Sequence, residues 1–589
     1  MAAGLLMVNA GRAEQWTIVR SKYFTVVTSS WPYDAQQWAG QLERFRVAMG
    51  QIYPAHSERL RPVTMVIFPD SASFRPYKML NRLGQPAAIG GFFVQSEYVS
   101  AIAVAVDVSP SETRRVIFHE ATHWFQSTRD DPLPAWLEEG IAEVFSTFVA
   151  DGKNYMVGDS IHEHVRYLRA GNLPKLTQLM GLTRDSLDYN QDDRTGKFYA
   201  ESWLFVHWNM FGEGSAGAQA VPKYLELLKR AKTAEQAFAG AFGGDYKTVG
   251  QRLERYLASG KYTRKAYPLR VEDLCPIEPP RPATEVEVEV ALGAVALGGR
   301  GPQAALPHLR RATELDPKNV QGWELLGAAA LGADDKATAL AAYDQAARLG
   351  SQIAMVWCNR AALRQEAEHP AGEFITTTDA STLTADAADF RKAIDLDPRY
   401  QPAYGGLAGV EYSAEPFDPA DVQRFERGRA LYPDDGDVAV GGALAHLRAG
   451  DKVRGEAELK ELLMRESLPK RDRQLAENAF EGEKLRVVQE HIRTYNEERR
   501  FAELVAELDR ALADDAIGPQ NRQTIRSARK QAEELRRMDA AVQAMNDGHP
   551  ADAIPLLRSV LDDSPSSWMT RNEAERLLKQ ARKLTGDED

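Results

Sequence analysis

The sequence predicts an α+β domain followed by an all-α repeat solenoid. Three observations carry that prediction. Residues 15–106 hold short segments rich in β-branched and aromatic residues, broken by one long amphipathic stretch. Residues 109–144 read as two apolar helices that share a cluster of histidine and glutamate. Beyond residue 284, small and aromatic residues recur with a period of about 34, the mark of stacked helical hairpins.

A chain of 589 residues is too long for one hydrophobic core, so two or more domains are expected. Hydrophobic and charged contents of 44% and 26% are ordinary for globular protein. A formal charge of −12 argues against a nucleic-acid partner and against a polybasic membrane-binding surface. Neither cysteine, Cys275 or Cys358, has a C-x-x-C partner, so neither a disulfide framework nor a cysteine metal site is expected. Met1–Val8 is a short apolar run without a basic flank, and Ala10-Gly11-Arg12-Ala13 offers small residues for cleavage. Residues 1–14 are read as a signal-peptide remnant, which gives a periplasmic or secreted expectation with the cytoplasm as alternative. No other stretch approaches the length of about 20 apolar residues needed to span a membrane, so no transmembrane segment is expected.

In chain order, 15–30 reads as strands. Residues 34–52 read as a helix, with Trp38, Leu42 and Phe45 near helical spacing. VTMVIFPD (63–70) reads as a buried strand, and 73–84 as a short helix stopped by Gly84. Gly90–Phe93 and Ser100–Val106 read as two strands, either plain core or the edge of a cleft that binds an extended peptide through main-chain hydrogen bonds.

Ser109-Pro110-Ser111-Glu112 reads as a capping box with proline at the first helical position. The helix it opens carries Val116, Ile117, Trp124 and Phe125 on apolar faces and His119-Glu120-Ala121-Thr122-His123 within it. Histidines four apart project from one face about one turn apart, so both can bind one tetrahedral metal ion. Zinc at such a site needs a third protein ligand. A second helix from Ala135 places Glu139 and Glu143 on one face. Gly140 between them would let this helix approach the first closely. Glu139 can then complete the metal site, while Glu143 takes the free N–H of a ligating histidine and fixes its tautomer.

HEATH followed by WLEEGIAE resembles the gluzincin metallopeptidases, most nearly the bacterial peptidase-MA-like domains often fused to tetratricopeptide repeats. The resemblance implies a zincin-like fold, a bound Zn2+ ion with ligands His119, His123 and Glu139, and Glu120 as the general base toward the attacking water. It implies Glu143 as the partner of a ligating histidine. The 15 residues between His123 and Glu139 are fewer than in thermolysin-like or M1 aminopeptidase-like groups, and the G-x-M-E-N exopeptidase motif is absent, so their substrate rules do not transfer.

Residues 151–265 read as mainly helical. His162-Glu163-His164 resembles a metal pair, but residues two apart on a helix point about 200° apart and cannot share an ion, so all three are expected at the surface. Phe198–Trp208 is a strongly apolar helix. In the family it resembles, a Tyr-x-x-Ser-Trp helix packs behind the zinc. Tyr199 is then either a donor to the oxyanion of a tetrahedral intermediate or a core aromatic, and His207 is a core histidine.

Residues 266–283 hold five prolines and no helical period, so they read as a semi-rigid linker. Beyond it, Ala305, Leu309, Ala312 and Pro317 fit the second helix of a tetratricopeptide unit, and Trp323, Leu326, Gly327, Ala339, Tyr343 and Ala346 fit the next. A third unit starts near Trp357, is interrupted by the polar insertion 367–383, and resumes at Phe390, Ala393 and Pro398, with Tyr404, Leu407, Phe425 and Pro433 following. Later units are degenerate, Ala553, Leu557 and Pro565 mark the last, and 583–589 reads as an acidic tail. The expected function is zinc-dependent hydrolysis of a peptide or protein substrate, with the repeats recruiting substrate or a protein partner. The alternative is a non-catalytic repeat-based adaptor or assembly factor with a vestigial zinc domain.

Overall fold

The computed structural model describes residues 15–53, 60–81, 83–107, 109–129, 131–171, 175–183, 192–212, 217–230, 233–368, 380–411, 416–465, 470–563 and 566–586. The proposed signal-peptide remnant, 1–14, lies outside them. The chain divides into two compact units, Met1–Arg360 and Ala361–Asp589.

The first unit is built on a mixed sheet. Its strands are β1 (Thr17–Arg20), β2 (Phe24–Thr28), β3 (Val63–Phe68), β4 (Gly91–Gln95), β5 (Ser100–Ala105) and, from the proline-rich stretch, β9 (Arg281–Pro282). They lie in the order β4-β5-β3-β2-β1-β9. β2, β3 and β5 run parallel, and β1, β4 and β9 pair antiparallel to their neighbours. Helix α1 (Pro32–Ile52) makes the crossover from β2 to the parallel β3. The next helix, α2, is only Ser71–Phe74, followed by a 3-10 turn at Arg75–Tyr77. It ends well before Gly84 because Pro76 has no N–H to continue it. Gly84 instead sits in a turn with φ +71°, where Asn81 Oδ1 accepts from the N–H groups of Leu83 and Gln85.

Both faces of this sheet are buried, and successive residues of β2, β3 and β5 alternate between two cores. Val26, Met65, Ile67, Ile102 and Val104 pack toward α1 and the helices α3 (Pro110–Gln126) and α4 (Ala135–Ser146). Val27, Val66, Phe68, Ala101 and Ala103 pack on the opposite side. That is why 63–68 is an almost unbroken apolar run rather than an alternating one.

After α4 come a hairpin of β6 (Val149–Asp151) and β7 (Asn154–Val157) and six helices: α5 (His162–Arg169), α6 (Leu176–Gly181), α7 (Asp192–Phe211), α8 (Gly217–Lys229), α9 (Ala234–Phe242) and α10 (Tyr246–Ser259). The stretch 266–283 then behaves differently from a linker. β8 (Lys265–Pro268) joins β7 as the third strand of a small sheet, and β9 extends the main sheet beside β1. Between them Arg46 donates to the Asp273 carbonyl, Gln51 to the Pro268 carbonyl, and the Glu278 N–H to the Arg20 carbonyl. Prolines shorten both strands by removing ladder donors, but they do not detach the segment.

The opposite face of the sheet is roofed by the first four repeat helices: α11 (Glu285–Gly299), α12 (Pro302–Leu315), α13 (Val320–Gly332) and α14 (Lys336–Arg348). Val288, Ala291, Leu292, Val295, Leu309 and Leu325 share a core with Val27, Val66 and Phe68. The turn between β4 and β5 is tied to α14 and to the helix after it (Ala354–Glu368), with Tyr98 Oη 2.6 Å from Tyr343 Oη and accepting from Asn359 Nδ2 at 2.8 Å. The boundary between compact units therefore falls after the first two helical hairpins, not at the proline run. An apolar second sheet face has to be covered, and the repeats are what covers it.

The second unit is all helical among its described residues, from Ala380–Leu396 through Trp568–Thr585. Phe390, Ala393, Tyr404, Leu407, Phe425, Ala553 and Leu557 are buried in it. Two 28-residue helices, Lys470–Glu497 and Pro519–Asn546, are twice the usual length here, which is why the period fades in that region. The last helix runs to Thr585, into the predicted tail, and ends on Gly586 in the left-handed conformation. Residues 369–379 of the insertion, Pro565 and 587–589 lie outside the described residues. Among the described residues no helix is long and apolar enough to cross a membrane.

This roof generates a prediction. Burying Ile18, Val27, Val66 and Phe68 stabilises by about 1.5–3 kcal/mol each, together comparable with the ~5–15 kcal/mol stability of a whole domain. A chain ending at Lys265 is expected to aggregate or lack a cooperative melt, whereas one ending at Glu368 melts cooperatively by circular dichroism. A soluble, cooperatively melting chain ending at Lys265 would contradict the shared core.

Candidate metal centre

Helix α3 begins where Ser109 caps it. The Ser109 hydroxyl accepts from the Glu112 N–H at 3.3 Å, and Glu112 Oε2 accepts from the Ser109 N–H at 3.1 Å. Ile117, Phe118, Ala121, Trp124 and Phe125 are buried under the sheet, and Trp124 Nε1 donates to the Arg61 carbonyl at 2.9 Å. With those positions held inward, the 3.6-residue period turns His119 and His123 toward α4. Every residue of α4 except Glu138 is buried.

The donor atoms of three residues meet there. His119 Nε2 and His123 Nε2 are 3.1 Å apart. Glu139 Oε2 lies 3.3 Å from the first and 3.4 Å from the second. Donors bound at about 2.0–2.1 Å around a tetrahedral ion stand about 3.3–3.4 Å from one another, so this triangle has the dimensions of a three-ligand zinc site. Two imidazole nitrogens and one carboxylate oxygen are also the donor types zinc takes.

The outer ring nitrogens have their own partners. His119 Nδ1 lies 3.3 Å from Glu143 Oε1, and His123 Nδ1 lies 3.7 Å from Glu138 Oε1. Charge follows the geometry. Burial works against a proton on either imidazole, but the carboxylates outweigh it. His119 is raised well above its ordinary pKa by Glu139 and Glu143, and His123 to about 9, chiefly by the Glu139 charge. Burial would raise Glu139 and Glu143, yet the facing histidines hold Glu139 well below the usual range and Glu143 lower too. The pocket is built to hold positive charge. Glu120 stands apart: burial raises its pKa, against the pull of both imidazoles, and the Phe93 backbone N–H of β4 hydrogen-bonds its carboxylate.

A cavity of about 640 Å³ opens over these groups. It is lined by Gly91, Phe93 and Gln95 of β4, by His119, Glu120, His123 and Glu139, and by Tyr199, whose ring centroid is 5.7 Å from that of His119. β4 is the edge strand on the cleft, and β5 is core between β4 and β3. Gly91 makes the close approach possible: a Cβ there would stand 2.7 Å from both Val104 and Val116.

Two expectations from the sequence differ from the structure. Gly140 does not serve the approach to α3. A Cβ there would meet the Ser202 carbonyl at 2.6 Å and Val206 at 2.5 Å, so the glycine seats α4 on α7. His164 is not a surface residue like His162 and Glu163. It is largely buried, and its Nε2 lies 3.0 Å from Glu143 Oε2. The signal was present, because Ile161, His164, Val165 and Leu168 follow the i, i+3, i+4, i+7 stripe of a buried helix face. Glu138 faces His123 at 3.7 Å, an acidic neighbour to which the spacing of Glu139 and Glu143 does not point. His207 is a core histidine: Nε2–H donates to the Gly158 carbonyl at 2.8 Å, and Nδ1 accepts from Tyr256 Oη at 2.9 Å.

No protein family matches the sequence, and no curated protein does. Several solved structures align with parts of the chain. YrrB, described as a TPR protein with an unusual peptide-binding site, aligns at 13% identity and a TM-score of 0.25, over 32% of this chain and 89% of its own. The TPR domain of P58(IPK) aligns at 13% identity and a TM-score of 0.16, over 51% of this chain and 100% of its own. Yeast Tom70 aligns at 15% identity and a TM-score of 0.19, over 81% of this chain and 87% of its own. None of the three is described as a metallopeptidase. The gluzincin resemblance stands on residues 119–143, and the repeat character of the C-terminal part on its own stacked helices.

Two stability predictions follow from the packing. Gly140→Ala should destabilise by about 1–3 kcal/mol, because the methyl meets backbone as well as side chain; an unchanged denaturant midpoint would refute the α4–α7 contact. Burial lowers the His207 pKa to about 4 from 6.5, so the folded chain binds fewer protons there than the unfolded one. Its contribution is present above pH 6.5 and is lost as pH falls toward 4, worth roughly 3 kcal/mol in full. The pH slope of unfolding free energy in that window should shrink in His207→Gln, and an identical slope would count against it.

Proposed function

We propose that the first unit is a zinc-dependent peptidase of the gluzincin kind. The observation that carries this reading is the 3.1–3.4 Å triangle of His119, His123 and Glu139 donors, with Glu120 beside it on the cavity wall. His119, His123 and Glu139 would hold zinc, which would supply Lewis acidity toward the scissile carbonyl and the attacking water. The remaining work falls to the chain. Glu120, its proton affinity raised by burial, takes the proton of the attacking water and hands it to the leaving amine as the C–N bond breaks. Edge strand β4 offers main-chain groups to an extended peptide, which fixes the carbonyl relative to Glu120. Tyr199 is the cavity group we assign to the developing oxyanion.

The adaptor reading has more direct support in one respect. It needs only stacked helices, which make up the second unit among its described residues, and stacked helical repeats present surfaces suited to binding other proteins. Recruitment by the repeats is common to both readings, since repeats that roof the sheet can also hold a substrate. They part on the fate of a peptide.

The hydrolase reading expects one zinc per chain by metal analysis, lost in His119→Ala. Glu120→Gln should keep the metal and lose about 10²–10⁴-fold in kcat on any peptide the parent cleaves, the usual worth of a general base. Equal cleavage by Glu120→Gln and the parent would remove Glu120 from the reaction. A zinc-loaded parent that cleaves nothing across a broad peptide library would leave the adaptor.

A further inference from the structure

We propose that His164 is a positioning residue for the metal site, acting through Glu143. The inference rests on the reading that His119, His123 and Glu139 hold zinc. Glu143 is buried on α4, one turn beyond Glu139, and its two oxygens have different partners. Oε1 lies 3.3 Å from His119 Nδ1. Oε2 accepts a 3.0 Å hydrogen bond from His164 Nε2 and has Arg115 Nη2 at 3.6 Å. Arg115 also donates through Nη1 to Glu163, the neighbour of His164, at 3.2 Å. One arginine on the metal helix α3 thus pins the first turn of α5, and α5 returns a histidine to the carboxylate on α4.

The geometry has a chemical consequence. His119 can offer Nε2 to a metal only if its ring proton sits on Nδ1, and Glu143 Oε1 is the acceptor that keeps it there. A carboxylate with one oxygen engaged can swing about its terminal torsion, which is broad and roughly two-fold. Without His164, Oε2 would retain Arg115 at 3.6 Å, beyond hydrogen-bond length. His164 removes that freedom, and the Trp203 ring, 6.0 Å away centroid to centroid, limits its own movement. The side chain is 13% exposed, so water competes poorly for the bond.

The experiment compares zinc affinity, by competition with a chromophoric chelator, in the full-length parent, His164→Gln and His164→Leu. Glutamine can still donate to Glu143, whereas leucine fills similar space and cannot. Loss of an outer hydrogen-bond partner typically costs 10–100-fold in metal affinity. We expect that loss in His164→Leu, near-parental affinity in His164→Gln, and unchanged circular dichroism in both. Where the parent cleaves a peptide, KM at saturating zinc should stay put while kcat falls in His164→Leu only. Should His164→Leu not fold, His164→Asn, polar but too short to reach, takes its place in the same contrast. Equal affinity in the apolar and glutamine variants overturns the assignment, whether both match the parent or both fall with packing. A parent that binds no zinc overturns the metal reading, and this inference with it; a zinc-binding parent with indistinguishable variants overturns this inference alone.

Discussion

Two glutamates buried against two histidines are the constraint on which the first unit turns. Glu139 and Glu143 lie inside the protein between α3 and α4, where an unpaired carboxylate costs several kcal/mol. Their partners are His119 and His123, and cation binding, by protons or a metal ion, is the way such a cluster balances its charge. Holding it closed requires three close contacts. α4 is buried on nearly every side, Gly140 lets it sit against α7, and Gly91 lets β4 pass close to α3. Arg115, Glu163 and His164 then close the circuit from α3 through α5 back to Glu143.

The sheet beneath this site is a second constraint, less visible from the site itself. Its strands bury alternate residues in two cores, so a cover is needed on each side. α1, α3 and α4 provide one. The other comes from helices α11–α14, whose sequence period belongs to a repeat array but whose inner residues belong to the sheet. The hydrogen bonds of Tyr98 with Tyr343 and Asn359 carry that contact to the turn beside β4, the strand on the cleft. The catalytic reading therefore includes the first repeats as part of the scaffold.

What could be read from the sequence was local. The capping box at Ser109 set the phase of α3, and a four-residue spacing then put both histidines on one face. Phe390, Tyr404 and Leu407 are buried where the period puts them. What could not be read was contact between distant segments. The five prolines of 266–283 announce irregular backbone, but nothing local says that β1 and β7 have free edges for it to join. Gly140 announces a close approach without naming α7 as the neighbour. His164 was hidden by a spacing argument that was sound for metal sharing yet silent on which single histidine faces inward. The two long helices of the second unit were blurred because a fixed period cannot follow a helix of doubled length.

The measurement that bears most directly on this account is zinc K-edge X-ray absorption on the full-length chain after loading and removal of loose metal. Three protein donors of the observed types predict one tightly held ion with nitrogen and oxygen neighbours at about 2.0–2.1 Å, imidazole multiple scattering from two histidines, and no sulfur shell. A chain that retains no zinc, or one whose spectrum shows sulfur at about 2.3 Å, would contradict the assignment of His119, His123 and Glu139 as the metal site.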